Sequence, residues 1–183
     1  GLANVSRNEQ ETEAVDESQT TETENKITLD ASGNAAAGDQ STENKTAEPS
    51  TLDELFGGEN LSVTYTGAEI AANYMEGGYY SLDAEQGKTF VIVGIDITNS
   101  GADEIAIDNF AKTPKFSVMV NGQEKAEEEN TILPSDFALY QETVPAGVTE
   151  NTILLFQVPD SVTSVDSLDL FVNISGTNYQ ITL

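Results

Sequence analysis

All thirteen aromatic side chains of this 183-residue chain, seven Phe and six Tyr, lie beyond Leu55. Only the second part of the sequence therefore has the large apolar groups from which a core is built. Residues 4–50 consist mainly of Glu, Thr, Ser, Asn, Gln and Ala. Val5, Val15, Ile27 and Leu29 are too sparse there to offset the entropy lost on ordering. The expected organisation is a disordered, acidic and Thr-rich linker over 1–50, followed by one domain over 51–183. The second stretch is long enough to bury roughly two thirds of its unfolded surface.

The boundary carries its own signal. In Ser50-Thr51-Leu52-Asp53-Glu54-Leu55-Phe56-Gly57-Gly58, Thr51 and Glu54 have the spacing of a capping box, and two glycines follow. A short helix is predicted, docked through Leu52, Leu55 and Phe56. On this reading the linker is a spacer, and a chain cut before Leu52 should melt like the whole.

From Leu61 onward the hydrophobic period is two. Leu61, Val63 and Tyr65 alternate with Ser62, Thr64 and Thr66. Phe116, Val118 and Val120 alternate with Ser117 and Met119, and Leu168, Leu170, Val172 and Ile174 form a third series. Such runs are half-buried strands. Phe90 to Ile97 and Ile153 to Val158 are more continuously apolar, as central strands covered on both faces would be. Turn residues punctuate the runs at Gly77-Gly78, Asn99-Ser100-Gly101, Pro145-Ala146-Gly147 and Ser175-Gly176. Asn121-Gly122 is the sharpest of these signals, because a tight hairpin turn needs positive φ at both central residues. Seven to eight short strands at this spacing predict an all-β fold, an immunoglobulin-like antiparallel β-sandwich. The absence of Cys and Trp excludes an antibody-type domain.

The order of these elements carries a resemblance. Gly87-Lys88-Thr89-Phe90-Val91-Ile92-Val93, then Ile97-Thr98-Asn99, Phe116 leading to Asn121-Gly122, and Pro145-Ala146-Gly147 before Leu155-Phe156-Gln157-Val158-Pro159 together resemble a bacterial secreted or lipoprotein domain family of unknown function. That family is similar in fold to a secreted mycobacterial immunoprotective antigen. The resemblance implies an exported, extracellular or cell-surface bacterial protein, lipid-anchored through an N-terminal Cys that this sequence does not contain. It brings no catalytic residues. Gly1 reads as a remnant with a targeting segment ahead of it.

Charge narrows the partners. The formal net charge is −25, from 32 acidic and seven basic residues; 21 of the acids and four of the bases lie beyond residue 50. Such a field repels nucleic acids and anionic membranes, so no nucleic-acid partner is expected and membrane association only through a lipid anchor. With no His and no Cys, imidazole and thiol chemistry are closed. Non-enzymatic function and no cofactor are expected. A carboxylate-pair hydrolase remains a distant alternative.

Two groups of residues are candidates for sites. Asp103, Glu104 and Asp108 supply hard oxygen ligands for calcium, as would a calcium-dependent adhesive or structural domain, but lack the spaced loop pattern of dedicated calcium sites. Glu127, Glu128 and Glu129 lead into Asn130 and read as a solvated loop. Tyr74, Tyr79 and Tyr80 surround Gly77-Gly78 and suit a contact surface, extended by Phe137 and Tyr140 if the two loops are neighbours. The competing reading packs Tyr79 or Tyr80 across strands. The leading expectation is a monomeric, surface-tethered module that binds a protein or glycan at the cell envelope or a host surface.

Overall fold

A computed structural model describes residues 47–183. The linker expected over 1–50 lies outside the described residues except for its last four. The chain begins with β1 (Glu48–Thr51) and α1 (Leu52–Phe56), followed by β2 (Leu61–Ala71), β3 (Asn73–Glu76), β4 (Tyr80–Asp83), β5 (Lys88–Asn99) and β6 (Ile105–Ala106). Then come β7 (Lys115–Val120), β8 (Glu124–Glu127), β9 (Thr143–Val144), β10 (Thr149–Pro159), β11 (Leu168–Ile174) and β12 (Thr177–Thr182). Among the described residues no helix is long and apolar enough to cross a membrane.

Two sheets carry the fold, one in the order β1-β12-β11-β7-β8 and one in the order β10-β5-β2. Leaving β1 aside and counting the remaining seven from the N-terminus, the orders become 7-6-3-4 and 5-2-1, an immunoglobulin-type arrangement whose fourth strand has joined the 7-6-3 sheet instead of lying beside the fifth. The core forms where the inward residues of both sheets meet. Val91, Val93, Ile95 and Ile97 on β5, with Leu154 and Phe156 on β10, face Phe116, Val118 and Val120 on β7 and Leu170 and Val172 on β11. Each such side chain contributes about 1.5–3 kcal/mol by leaving water.

The two continuously apolar runs are explained by a second, smaller core. β3 and β4 form a hairpin whose Tyr74, Tyr80 and Leu82 cover Phe90, Ile92 and Leu155 on the outer face of the three-stranded sheet, with Leu133 buried beside them. Asn121 and Gly122 adopt φ of 55° and 70° as expected, and Gln123 N–H donates to Val120 C=O at 3.0 Å. Pairing resumes at Glu124, opposite Val120. The Asn121 side chain has a further use: its Oδ1 accepts from Asp166 N at 2.7 Å and Ser167 N at 3.1 Å, which fastens the β10–β11 connection to the hairpin.

The expected antiparallel sandwich is present, with one parallel pair added at the entry to the domain. β1 runs parallel to β12, pairing Glu48 with Tyr179 and Thr51 with Thr182. The domain therefore starts at Glu48, inside the stretch assigned to the linker. Three polar residues and a proline can form this strand because β12 offers a ready edge of unpaired backbone groups. The capping box is complete, with Glu54 N donating to Thr51 Oγ1 and Thr51 N to Glu54 Oε1, both at 3.1 Å. Leu52 and Phe56 are buried and Leu55 packs against the core. Asp53 Oδ1 accepts from Val63 N at 2.6 Å, which ties α1 to β2.

A cut before Leu52 consequently costs stability. It removes β1 and the N-cap hydroxyl, and we expect a loss of about 1–2 kcal/mol, of which the cap alone accounts for about 1. A chain starting at Ala47 keeps every described contact. Urea melts of the two truncations side by side check this, and equal midpoints would show that β1 adds nothing.

Candidate functional site

The hairpin β3–β4 and the segment Glu128–Asp136 meet on one side of the smaller sheet. Ser135 N and Ser135 Oγ both donate to the Glu76 carboxylate, the former at 3.3 Å. Tyr74 Oη donates to the same group at 2.9 Å. Burial pushes the Tyr74 hydroxyl above its usual range, so it remains a donor at neutral pH.

This junction sorts the five aromatic contact candidates. Tyr79, in the hairpin turn beside two glycines at positive φ, is 91% exposed. Tyr74 and Tyr80 are half-buried because alternation along the short strands turns them toward Phe90 and Ile92. Phe137 and Tyr140 are corrected outright. Phe137 is fully buried and Tyr140 nearly so, both in the main core, because a 3-10 turn over Phe137–Leu139 folds inward under the Asp136 cap. They offer no contact surface.

Among the exposed apolar side chains that the sequence did not single out, two lie at this junction. Met75 is 65% exposed on the outward side of β3, and Ile132 is 84% exposed on the segment that Ser135 ties to the hairpin. Outward placement of Met75 follows from alternation with Tyr74 and Glu76. Ile132 carries no such signal, since Ile132-Leu133 reads as a buried strand fragment and only Leu133 is buried.

The calcium candidates do not converge. Asp103 and Glu104 are exposed, and the Asp103 carbonyl, not its carboxylate, is engaged, accepting from Asn99 Nδ2 at 2.7 Å. Asp108 Oδ1 accepts from Ala111 N at 3.0 Å, closing the turn over Phe110–Lys112. Among the described residues no group of three or more carboxylates is arranged to hold a metal ion. An open depression of about 480 Å³ beside α1 is lined by Asp53, Glu54, Asn60, Ser62 and Ser100 among others.

The acidic run departs from expectation at one residue. Glu127 is exposed, but Glu128 is half-buried. Its Oε2 is shielded from solvent with no donor to accept from. Burial first, then its hydrogen bond to Asp136 and the negative charges of Asp136 and Glu129, push its carboxyl up to about 10. Asp136 is 2% exposed; its Oδ2 accepts from Thr131 Oγ1 at 2.6 Å and its Oδ1 from Ala138 N at 3.0 Å.

No protein-family model matches the chain, and no curated protein does either. Solved structures similar to it include an uncharacterized beta-sandwich protein from Clostridium difficile 630, 18% identical, covering 68% of this chain and 85% of that one at a TM-score of 0.42. A conserved hypothetical protein from Bacillus anthracis is 11% identical, covers 68% of this chain and 89% of that one, and has a TM-score of 0.38. A Bacillus subtilis protein described as a "putative lipoprotein" is 11% identical at a TM-score of 0.36, over 67% of this chain and 36% of that one.

Proposed function

We propose that the domain is an extracytoplasmic, surface-tethered, non-catalytic module that binds a protein or glycan through the tip of the β3–β4 hairpin and the adjoining Glu128–Asp136 segment. The observation that carries this reading is the exposure of Met75, Tyr79 and Ile132 on two segments joined through Glu76 and Ser135. Large apolar groups held outward on a braced support offer contact area at little entropic cost. Tyr79 adds a hydroxyl at the rim. Tethering is supported by the composition of residues 4–50, an acidic self-repelling spacer. Export, a lipid anchor and kinship to the mycobacterial antigen rest on the resemblance of the strand and turn motifs.

The test is a comparison of residues 48–183 with a variant carrying Met75→Ser, Tyr79→Ser and Ile132→Ser. Both are titrated by biolayer interferometry against purified envelope proteins and arrayed envelope and host glycans. The expected result is saturable binding that falls at least tenfold in the variant, with melting unchanged because all three side chains face solvent. Equal binding by the two proteins would move the contact surface elsewhere, and no binding to any probe would retire the reading.

A further inference from the structure

The three most exposed large apolar side chains among the described residues are Tyr79, Ile132 and Met75, and all three belong to the hairpin β3–β4 or to the segment that Ser135 ties to it. Which partners can approach such a surface is decided by the charges around it. Residues 73–83 and 128–136 contain Glu76, Asp83, Glu128, Glu129 and Asp136 and no Lys or Arg. Asp83 is exposed, and Glu76 and Glu129 are half-buried. Glu128, its carboxyl pushed up to about 10, adds no charge at neutral pH. The nearest bases in sequence are already offset. Lys88 pairs with Glu85 at 3.6 Å, and Lys125 on β8 shares its exposed face with Glu127 two residues on. Phe110, the next most exposed apolar residue, is set differently, with Lys112 and Lys115 following it in the chain.

We propose that the hairpin junction receives a basic amphipathic polypeptide segment, whose aliphatic side chains rest on Met75, Tyr79 and Ile132 while its Lys or Arg side chains meet the surrounding carboxylates. This rests on the binding reading and narrows it to one class of partner. Met75 and Ile132 have no polar atom that could replace the water lost by a sugar hydroxyl, so a glycan gains little there. They suit the aliphatic side chains of a polypeptide, and the flexible Met75 adapts to their shape. The net charge of −25 repels anionic polymers and draws a basic segment in from a distance. Charge and apolar contact then have separate kinetic signatures. The field sets the association rate and makes it fall with salt, and the three apolar anchors set the dissociation rate.

The test uses the whole chain, immobilised for surface plasmon resonance, with three synthetic peptides of equal length that alternate Lys with Leu, Glu with Leu, and Lys with Ser. The Lys/Leu peptide is expected to bind saturably and at least about tenfold more tightly than either of the others. Raising salt from about 0.05 M to about 0.3 M should slow its association. The variant carrying Met75→Ser, Tyr79→Ser and Ile132→Ser keeps the full net charge. Its complex should dissociate about tenfold faster with the association rate and its salt dependence unchanged, and Phe110→Ser should alter neither rate.

Equal binding of the Glu/Leu peptide would overturn the basic partner, and equal binding of the Lys/Ser peptide would overturn the apolar contact. Undiminished binding by the triple variant would show the Lys/Leu peptide held by net charge alone, which also overturns the proposal. Its failure and that of the binding reading are distinguishable. An envelope protein or glycan that binds the whole chain and is lost in the triple variant, while the Lys/Leu peptide does not bind, would overturn the basic partner and keep the contact surface. If no probe separates the triple variant from the wild type, both fall.

Discussion

Phe137→Ala is expected to cost about 3–5 kcal/mol of stability, the range for truncating a buried aromatic whose cavity cannot collapse. Phe137 is fully buried. Its ring meets Phe56 edge-on, with centroids 4.9 Å apart, and Phe116 in a second edge contact at 6.0 Å. Phe56 and Phe116 also stack on each other at 5.8 Å. The three rings come from α1, β7 and the turn after Asp136, so one truncation loosens three attachments at once. Collapse is resisted because Phe116 is held in a paired strand and Phe56 in a capped helix. Set against the 5–15 kcal/mol typical of a whole domain, the loss would bring the fold near its threshold. Urea denaturation followed by far-UV circular dichroism measures it, with Leu139→Ala, a 40% exposed neighbour in the same turn, as the control. A loss below about 1 kcal/mol for Phe137→Ala would mean that the turn is not a core element.

The same residue marks the limit of what could be read from the sequence. Alternation named the inward side of β2, β7 and β11 correctly because a strand in a sandwich repeats every two residues, and Val118, Val120, Leu170 and Val172 are all buried. The doubly apolar stretches implied a second cover, and the hairpin with Leu133 supplies it. Phe137 and Tyr140 sit in a turn without a period, where an aromatic can equally point out or in. Their direction is set by the Asp136 cap and by a gap between the sheets, neither of which is local. β1 was missed for a related reason. Glu48-Pro49-Ser50-Thr51 has no strand signature and pairs only because β12 lies open, 131 residues later, pairing Glu48 with Tyr179 at the start of its register. Within Glu127-Glu128-Glu129 three identical residues do not share one environment: Glu127 is exposed, while Glu128 and Glu129 are half-buried where the chain attaches to β10.

Asn99→Ala is the second large effect expected, a loss of about 2–4 kcal/mol, because it removes three side-chain hydrogen bonds at once, one of them fully buried. Asn99 is fully buried at the end of β5. Its Nδ2 donates to Asp103 O at 2.7 Å and Val144 O at 3.0 Å, while its Oδ1 accepts from Gly101 N at 2.9 Å. The side chain thereby closes the turn after β5 and draws it onto β9, and Ala removes the Asn99 partner of two carbonyls and one N–H, of which the bond to the Val144 carbonyl is fully buried. Asn99→Asp separates hydrogen bonding from simple space filling. Its carboxylate would still accept from Gly101 but would oppose two carbonyl oxygens, so the folded state would hold its proton more tightly than the unfolded state does. Stability of Asn99→Asp should therefore be greatest in acid and fall as pH rises through and above the ordinary carboxylate range. The Asn99→Ala deficit, measured relative to wild type, should stay constant over the same interval. Urea midpoints at pH 4 and pH 8 decide the matter. If both deficits are independent of pH, Asn99 fills space and its hydrogen bonds are incidental; if only the Asp variant recovers in acid, the donors to Asp103 and Val144 are what hold this turn in place.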